Sequence, residues 1–184
     1  MKPGSETTPA YRAWVLLVLV VVYTFNFIDR QIVGILAVPI KADLALTDTQ
    51  LSLMGGLAFA LFYTVLGVPI AMLADRKSRV WFMTMALTLW CAMSALCGVA
   101  PNFTQLFLAR LGVGVGEAGG VAPAYSLIAD YFPSEKRARA LSIYSFGIPI
   151  GSAFGILLGG VLTSYLDWRS AFLIVGIAGL FLAP

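Results

Sequence analysis

Between Ala13 and Val38 the chain reads "AWVLLVLVVVYTFNFIDRQIVGILAV", an apolar stretch with Asp29 and Arg30 side by side inside it. About 20 mostly apolar residues suffice to cross a bilayer as a helix. A charge near the bilayer centre costs about 2.5–3.5 kcal/mol on insertion scales. Any fold open to this chain must therefore bury that stretch in lipid and still compensate, or use, two charges within it.

The composition permits no soluble alternative. Of 184 residues, 60% are hydrophobic and 11% charged, against about 25% charged in an ordinary soluble domain. Such a chain cannot cover itself with a wetted surface and reads as an all-α integral membrane protein. Residues 1–10 form a polar tail with no cleavage signal after a short apolar run, so the first hydrophobic segment is a retained helix, not a signal peptide. There is no histidine, which removes the usual metal ligand and neutral-pH base. No nucleophile–base pair or metal cluster points to an enzyme, and no phosphate-binding loop points to a pump with its own nucleotide site. No metal or other cofactor is expected. The basic residues are split among short loops, unlike a nucleic-acid surface. Cys91 and Cys97 lie six residues apart in one helix, about 240° around its axis, and cannot bridge each other.

Apolar segments at about 11–38, 51–74, 80–100, 103–132, 139–165 and 168–184 predict six spanning helices. Lys2, Arg12, Arg76, Lys77, Arg79, Lys136, Arg137 and Arg139 fall on one side, and only Lys41 and Arg169 on the other. This bias places the N-terminal tail in the cytoplasm; the membrane is expected to be the inner or plasma membrane. The sixth segment is short and stops on "LFLAP", as expected of part of a longer protein, although a self-associating half remains an alternative. The first and fourth segments, which open the two three-helix units, are the two with internal charges. That echo suits an inverted three-plus-three repeat.

The fourth segment holds Arg110 and Glu117 in "ARLGVGVGEAGG". Seven residues are nearly two turns, so both side chains share one face to within about 20°, roughly 10.5 Å apart along the axis. With the two helices running in opposite directions, Asp29 and Arg30 fall at a depth between them. Asp29 can thus approach Arg110, and Arg30 can approach Glu117. One reading is a structural lock between two helices. The other is a polar site, with two arginines for an anionic group and two carboxylates able to take a proton. Burial disfavours a carboxylate's charge while a nearby arginine favours it, so moving that arginine toward a substrate changes proton affinity.

Gly114, Gly116 and Gly119 match the G-x-G-x-x-G dinucleotide pattern, but inside a spanning helix with no preceding strand they carry no cofactor reading. Small residues here let another helix come close. Gly147, Gly151, Gly155 and Gly159 repeat every fourth position of the fifth segment and require a partner surface for packing or gating. Pro149, among them, removes a backbone hydrogen bond and marks a possible bend.

The stretch "AMLADRKSR", Ala71 to Arg79, resembles the G-x-L-A-D-R-x-G-R-K/R signature of the major facilitator superfamily. Leu73, Ala74, Asp75, Arg76 and Arg79 match; Ala71, Ser78 and Val80 depart from it. Arg110 with Gly114 and Gly116 resembles the helix-4 motif of that superfamily, and "DWRSAF" its opening of helix 6. The fifth-segment glycines resemble the antiporter-type motif, with "GIP" departing from its Gly-Pro pair. Together "NFIDRQ", "RLGVGVGEA", "LIADYFPSEKRARALSIY" and "GIPIGSAFG" resemble the spinster-like transporters. The resemblance implies two six-helix bundles alternating access around a central cavity, this chain being the N-terminal one and a C-terminal bundle its partner. It implies a conformational switch in which Asp75 meets the C-terminal bundle and Arg79, in the same loop motif as Arg76, pairs with Asp130. The bland reading leaves Asp75 and Asp130 as solvated helix ends and the arginines as topology signals. It further implies a lysophospholipid or similar anionic amphiphile as substrate, moved with proton coupling. A proton-linked carrier of small organic anions or drugs fits the same residues, and a non-transporting receptor or scaffold is the reading from another class.

Overall fold

The computed structural model describes residues 8–57, 60, 63–65, 67, 69, 70, 72 and 78–182, and every regular element among them is helical. Helix α1 spans Pro9–Asp43; a short α2, Asp48–Ser52, runs into a π-helical turn at Leu53–Leu57. Helix α3 spans Arg79–Gly98, α4 Phe103–Tyr131, α5 Ser134–Ser145, α6 Gly147–Tyr165 and α7 Trp168–Leu180. Among the described residues, α1, α3 and the α5–α6 stretch Ser134–Tyr165 are long and apolar enough to cross a membrane. Helix α4 has the length, 29 residues, together with its internal charges.

Polar side chains start these helices at the water boundary. Asn102 Oδ1 accepts the Gln105 N–H at 3.0 Å, and Asp167 Oδ1 accepts the Ser170 N–H at 2.8 Å. Each satisfies a donor that the first turn leaves without an intrahelical acceptor. The bond from Ser170 also holds the Asp167 carboxyl below its usual range. Thr47 and Gln50 cap α2 reciprocally.

The observed boundaries differ from the expected ones at three places. Helix α1 continues past Val38 through Pro39 to Asp43, since one proline costs a single donor and the next turns still bond, Leu44 N–H reaching the Ile40 carbonyl at 3.0 Å. The second span begins with α2 and its π-turn, ahead of the expected start at 51, and nine of the residues 51–74 lie outside the described ones. The fifth span starts at Ser134 and is interrupted at Phe146. Pro149 has no N–H to offer the Ser145 carbonyl, so the helix restarts at Gly147 with Pro149 in its first turn, where a missing donor is harmless.

Two glycine seams organise the packing. All four of Gly147, Gly151, Gly155 and Gly159 are buried, because α6 lies along α1. A Cβ on Gly155 would come within 2.8 Å of the Gln31 Cβ, and one on Gly159 within 2.6 Å of the Ile35 Cδ1. Helix α3 packs against both α4 and α7. Gly116 of α4 faces the Trp90 backbone, where a Cβ would lie 2.7 Å from its nitrogen, and Gly119 faces Ala86. Lipid tails are as apolar as leucine, so helix association in a membrane draws on such close van der Waals contact. Between the seams Ile32, Leu36, Leu106, Val113 and Phe172, all fully buried, form the main apolar core.

The seam predicts an asymmetric alanine scan. Gly155→Ala should destabilise the protein by about 1–3 kcal/mol through overpacking. Gly160→Ala, where nothing among the described residues lies within 4 Å of the new Cβ, should leave stability equal or raised. Thermal unfolding of the two variants in detergent checks this, and equal losses would refute the seam.

Candidate functional site

Asp29 and Arg30 sit where α1 faces α4, and each meets an opposite charge. Arg110 Nη1 donates to Asp29 Oδ2 at 3.0 Å, and Arg30 Nε donates to Glu117 Oε2 at 2.8 Å. Asp29 and Glu117 are each 1% exposed and Arg110 4%, so three of the four charges are removed from solvent. The pairings follow from helix depth, as expected. A third partner, Ser94 of α3, donates its hydroxyl to Asp29 Oδ1. Both oxygens of that carboxylate are therefore satisfied, as a charge out of water requires.

Arg30 is held differently. Its guanidinium lies 5.4 Å from the Phe27 ring centre and 5.0 Å from that of Tyr63, both within cation–π range. Its side chain keeps 29% exposure, toward a cavity of about 460 Å³. Arg110 lines the same cavity, with Val33, Ala37, Met54 and Tyr63 among the other walls. No carboxylate is among its described lining residues; Asp29 and Glu117 stand behind the arginines. The arrangement offers two cations, one apolar surface and reserve acids one bond away. Gln31 Nε2 donates to Ser152 Oγ at 3.4 Å, linking the next residue of α1 to α6. Among the described residues no cluster of acids and cysteines could hold a metal ion.

The remaining candidates separate from this site. Arg79 Nη1 donates to Asp130 Oδ2, joining the N-terminus of α3 to the C-terminal turn of α4. Arg137 Nη2 donates to the Ala129 carbonyl at 2.8 Å, capping the same turn. Asp75 and Arg76 lie outside the described residues. Gly147, Pro149, Gly151, Gly155 and Gly159 lie along the α1–α6 seam. At the other end of the bundle Asp43 accepts from Trp168 Nε1 at 3.2 Å and Arg169 Nη2 at 2.9 Å, and Lys41 pairs with Asp48. In the sequence Lys41 and Arg169 register only as orientation signals. Ser94, Asn26 and Tyr63 carry no mark there of their partners, although Asn26 stands inside "NFIDRQ", one turn before Asp29.

The described residues thus form a bundle of lipid-length helices with two charge pairs beside an open cavity. Residues 19–184 match the Major Facilitator Superfamily family model. An MFS-type efflux pump of Mycolicibacterium smegmatis is 39% identical over 94% of this chain and 41% of its own. Protein spinster of Drosophila melanogaster is 30% identical over 89% of this chain and 27% of its own. A bacterial homologue of the human lysosomal transporter Spinster, solved in an inward-facing and occupied conformation, superposes with a TM-score of 0.90. It is 39% identical, over 96% of this chain and 44% of that one. The chain thus spans less than half the length of these relatives. It belongs to the major facilitator superfamily, with spinster proteins among its relatives, and is an integral membrane protein.

Removing one member of a buried pair strands the other. Arg110→Gln should cost about 3–5 kcal/mol, and adding Asp29→Asn should recover most of the loss. Unfolding measurements on the single and double variants decide it; a double variant no better than the single one would show that the pairing energy lies elsewhere.

Proposed function

We propose that this chain is the N-terminal bundle of a secondary active transporter that works by alternating access and couples protons to a lysophospholipid or similar anionic amphiphile. The observation that carries the proposal is the cavity in which Arg30 and Arg110 are lining cations while their carboxylate partners are buried behind them. A phosphate or carboxylate headgroup entering there is attracted to both guanidiniums, and the apolar wall accommodates the start of a tail. About 460 Å³ lies within the usual range for small-ligand sites. The resemblance of the sequence motifs to the spinster-like transporters is what implies an amphiphile among the anions that fit this cavity.

Coupling follows from competition for Arg30. When an anionic group draws the guanidinium away, Glu117 loses the charge that stabilised its ionised form, and proton uptake is favoured. By linkage, a proton on Glu117 frees Arg30 for the substrate to the same degree. In this scheme Arg79 and Asp130, with Asp75 and Arg76 of the same loop, are the switch that latches the cytoplasmic ends of the helices against a C-terminal bundle, and the N-terminus is cytoplasmic. The glycine seam between α1 and α6 lets those helices shift together as a unit.

A second reading has its own support, since the M. smegmatis relative is named an efflux pump. The same cavity would then take a small organic anion or drug. The deciding assay uses the complete protein in liposomes, with labelled lysophosphatidylcholine and an imposed pH gradient. Wild type should move the lipid down the proton gradient, and Glu117→Gln should abolish the gradient's effect. A folded wild type that moves no lysolipid would overturn the substrate assignment and favour the efflux reading; gradient-driven movement unaffected by Glu117→Gln would remove Glu117 from the coupling site.

A further inference from the structure

Beside Glu117 a small space of about 20 Å³, which Arg30 does not line, lies between α1, α3, α4 and α5. Glu117 and Asn26 both line it. Each presents to the interior a buried oxygen without a hydrogen-bond partner, Glu117 Oε1 and Asn26 Oδ1. Asn26 is 5% exposed and Glu117 1%. Buried acceptors are rarely left unsatisfied in a native protein, and two that share one space have a common explanation.

We propose that Asn26 is the acceptor for the proton that Glu117 takes up, so that its amide fixes this proton on Oε1. The inference rests on the reading that Glu117 exchanges protons. A neutral carboxylic acid carries its hydrogen on one oxygen and then donates with it. A proton that arrives while the Arg30 Nε–H still occupies Oε2, at 2.8 Å, cannot settle there, because a hydrogen on Oε2 would point at another donor. Oε1 is the remaining position, and Asn26 Oδ1 is the buried unpaired acceptor on the same space. The volume admits about one water, which can relay the bond. With Glu117 ionised, the same water donates one hydrogen to each oxygen, so both charge states are served.

The charged groups near Glu117 are Arg30 and Asp29 on α1 and Arg110 on α4, and none of them lines this space. The neutral groups facing it are Tyr23 on α1, Trp90 on α3 and Tyr144 on α5. The tyrosine hydroxyls are the competing partners that a test must separate. Asn26 thus acts as a positioning residue, tuning how firmly Glu117 holds its proton without touching substrate.

Infrared difference spectra of the complete protein in lipid, recorded through a pH titration, read the carboxylic acid directly. The carbonyl band lost in Glu117→Gln is that of protonated Glu117. Asn26→Leu should move this band to higher frequency and lower the pH at which it appears by about one unit, the worth of one hydrogen bond. Asn26→Ser, which keeps an acceptor, should stay near wild type, and Tyr23→Phe and Tyr144→Phe should change neither property. If Asn26→Leu does not fold, Asn26→Ala makes the same comparison. A Glu117 band that ignores the loss of the Asn26 amide, or that shifts equally in Tyr23→Phe or Tyr144→Phe, would overturn the assignment while leaving proton coupling intact. The absence of any titrating Glu117 band would overturn both.

Discussion

Two ion pairs on adjacent residues of one helix hold the centre of this bundle. The backbones of α1 and α4 otherwise approach each other little, since α1 packs mainly along α6 and α4 along α3. Asp29–Arg110 and Arg30–Glu117 therefore join two helix groups that glycine seams assemble separately. Burying two charges is offset by their attraction only when the geometry is good and the leftover oxygens are bonded. Asp29 meets that condition, with Arg110 on one oxygen and Ser94 on the other. Glu117 does not, because Arg30 satisfies only Oε2. The two pairs look alike in sequence and are physically unequal.

That inequality divides their roles. The Asp29 carboxylate is bonded on both oxygens, and Arg110, which lines the cavity, is itself only 4% exposed, so this pair suits a fixed joint. The Arg30 pair has one partner reaching a cavity and the other holding an unsatisfied oxygen, so it can exchange both its cation and its proton. A carrier needs both kinds of element: a joint that survives each cycle, and a pair whose members can be drawn apart. The seams complement this. Gly151 and Gly155 bring α6 against α1 closely, and the Gln31–Ser152 bond ties the two there, so the pair can move as one body.

Much of this was legible in the chain itself. Membrane residence followed from composition, helix placement from the length of the apolar runs, and the pairing of Asp29 with Arg110 and Arg30 with Glu117 from depth along two opposed helices. The fourfold glycine repeat required a partner surface, and α1 is that surface. Helix limits were less legible near prolines: Pro39 passes inside α1, whereas Pro149 coincides with a break. A proline removes one donor in either place, and the surrounding packing decides whether the helix continues.

What the sequence determined by itself was which groups had to be buried and at what depth, because hydrophobic length and helical rise are local quantities. What only the tertiary structure decided was the partners across helices: Ser94 on Asp29, Tyr63 beneath Arg30, Asn26 beside Glu117, and which of the four charges face a cavity. Those depend on how far each helix is rotated about its axis, and rotation is set by the sum of many small contacts along the seams, not by any one residue's chemistry.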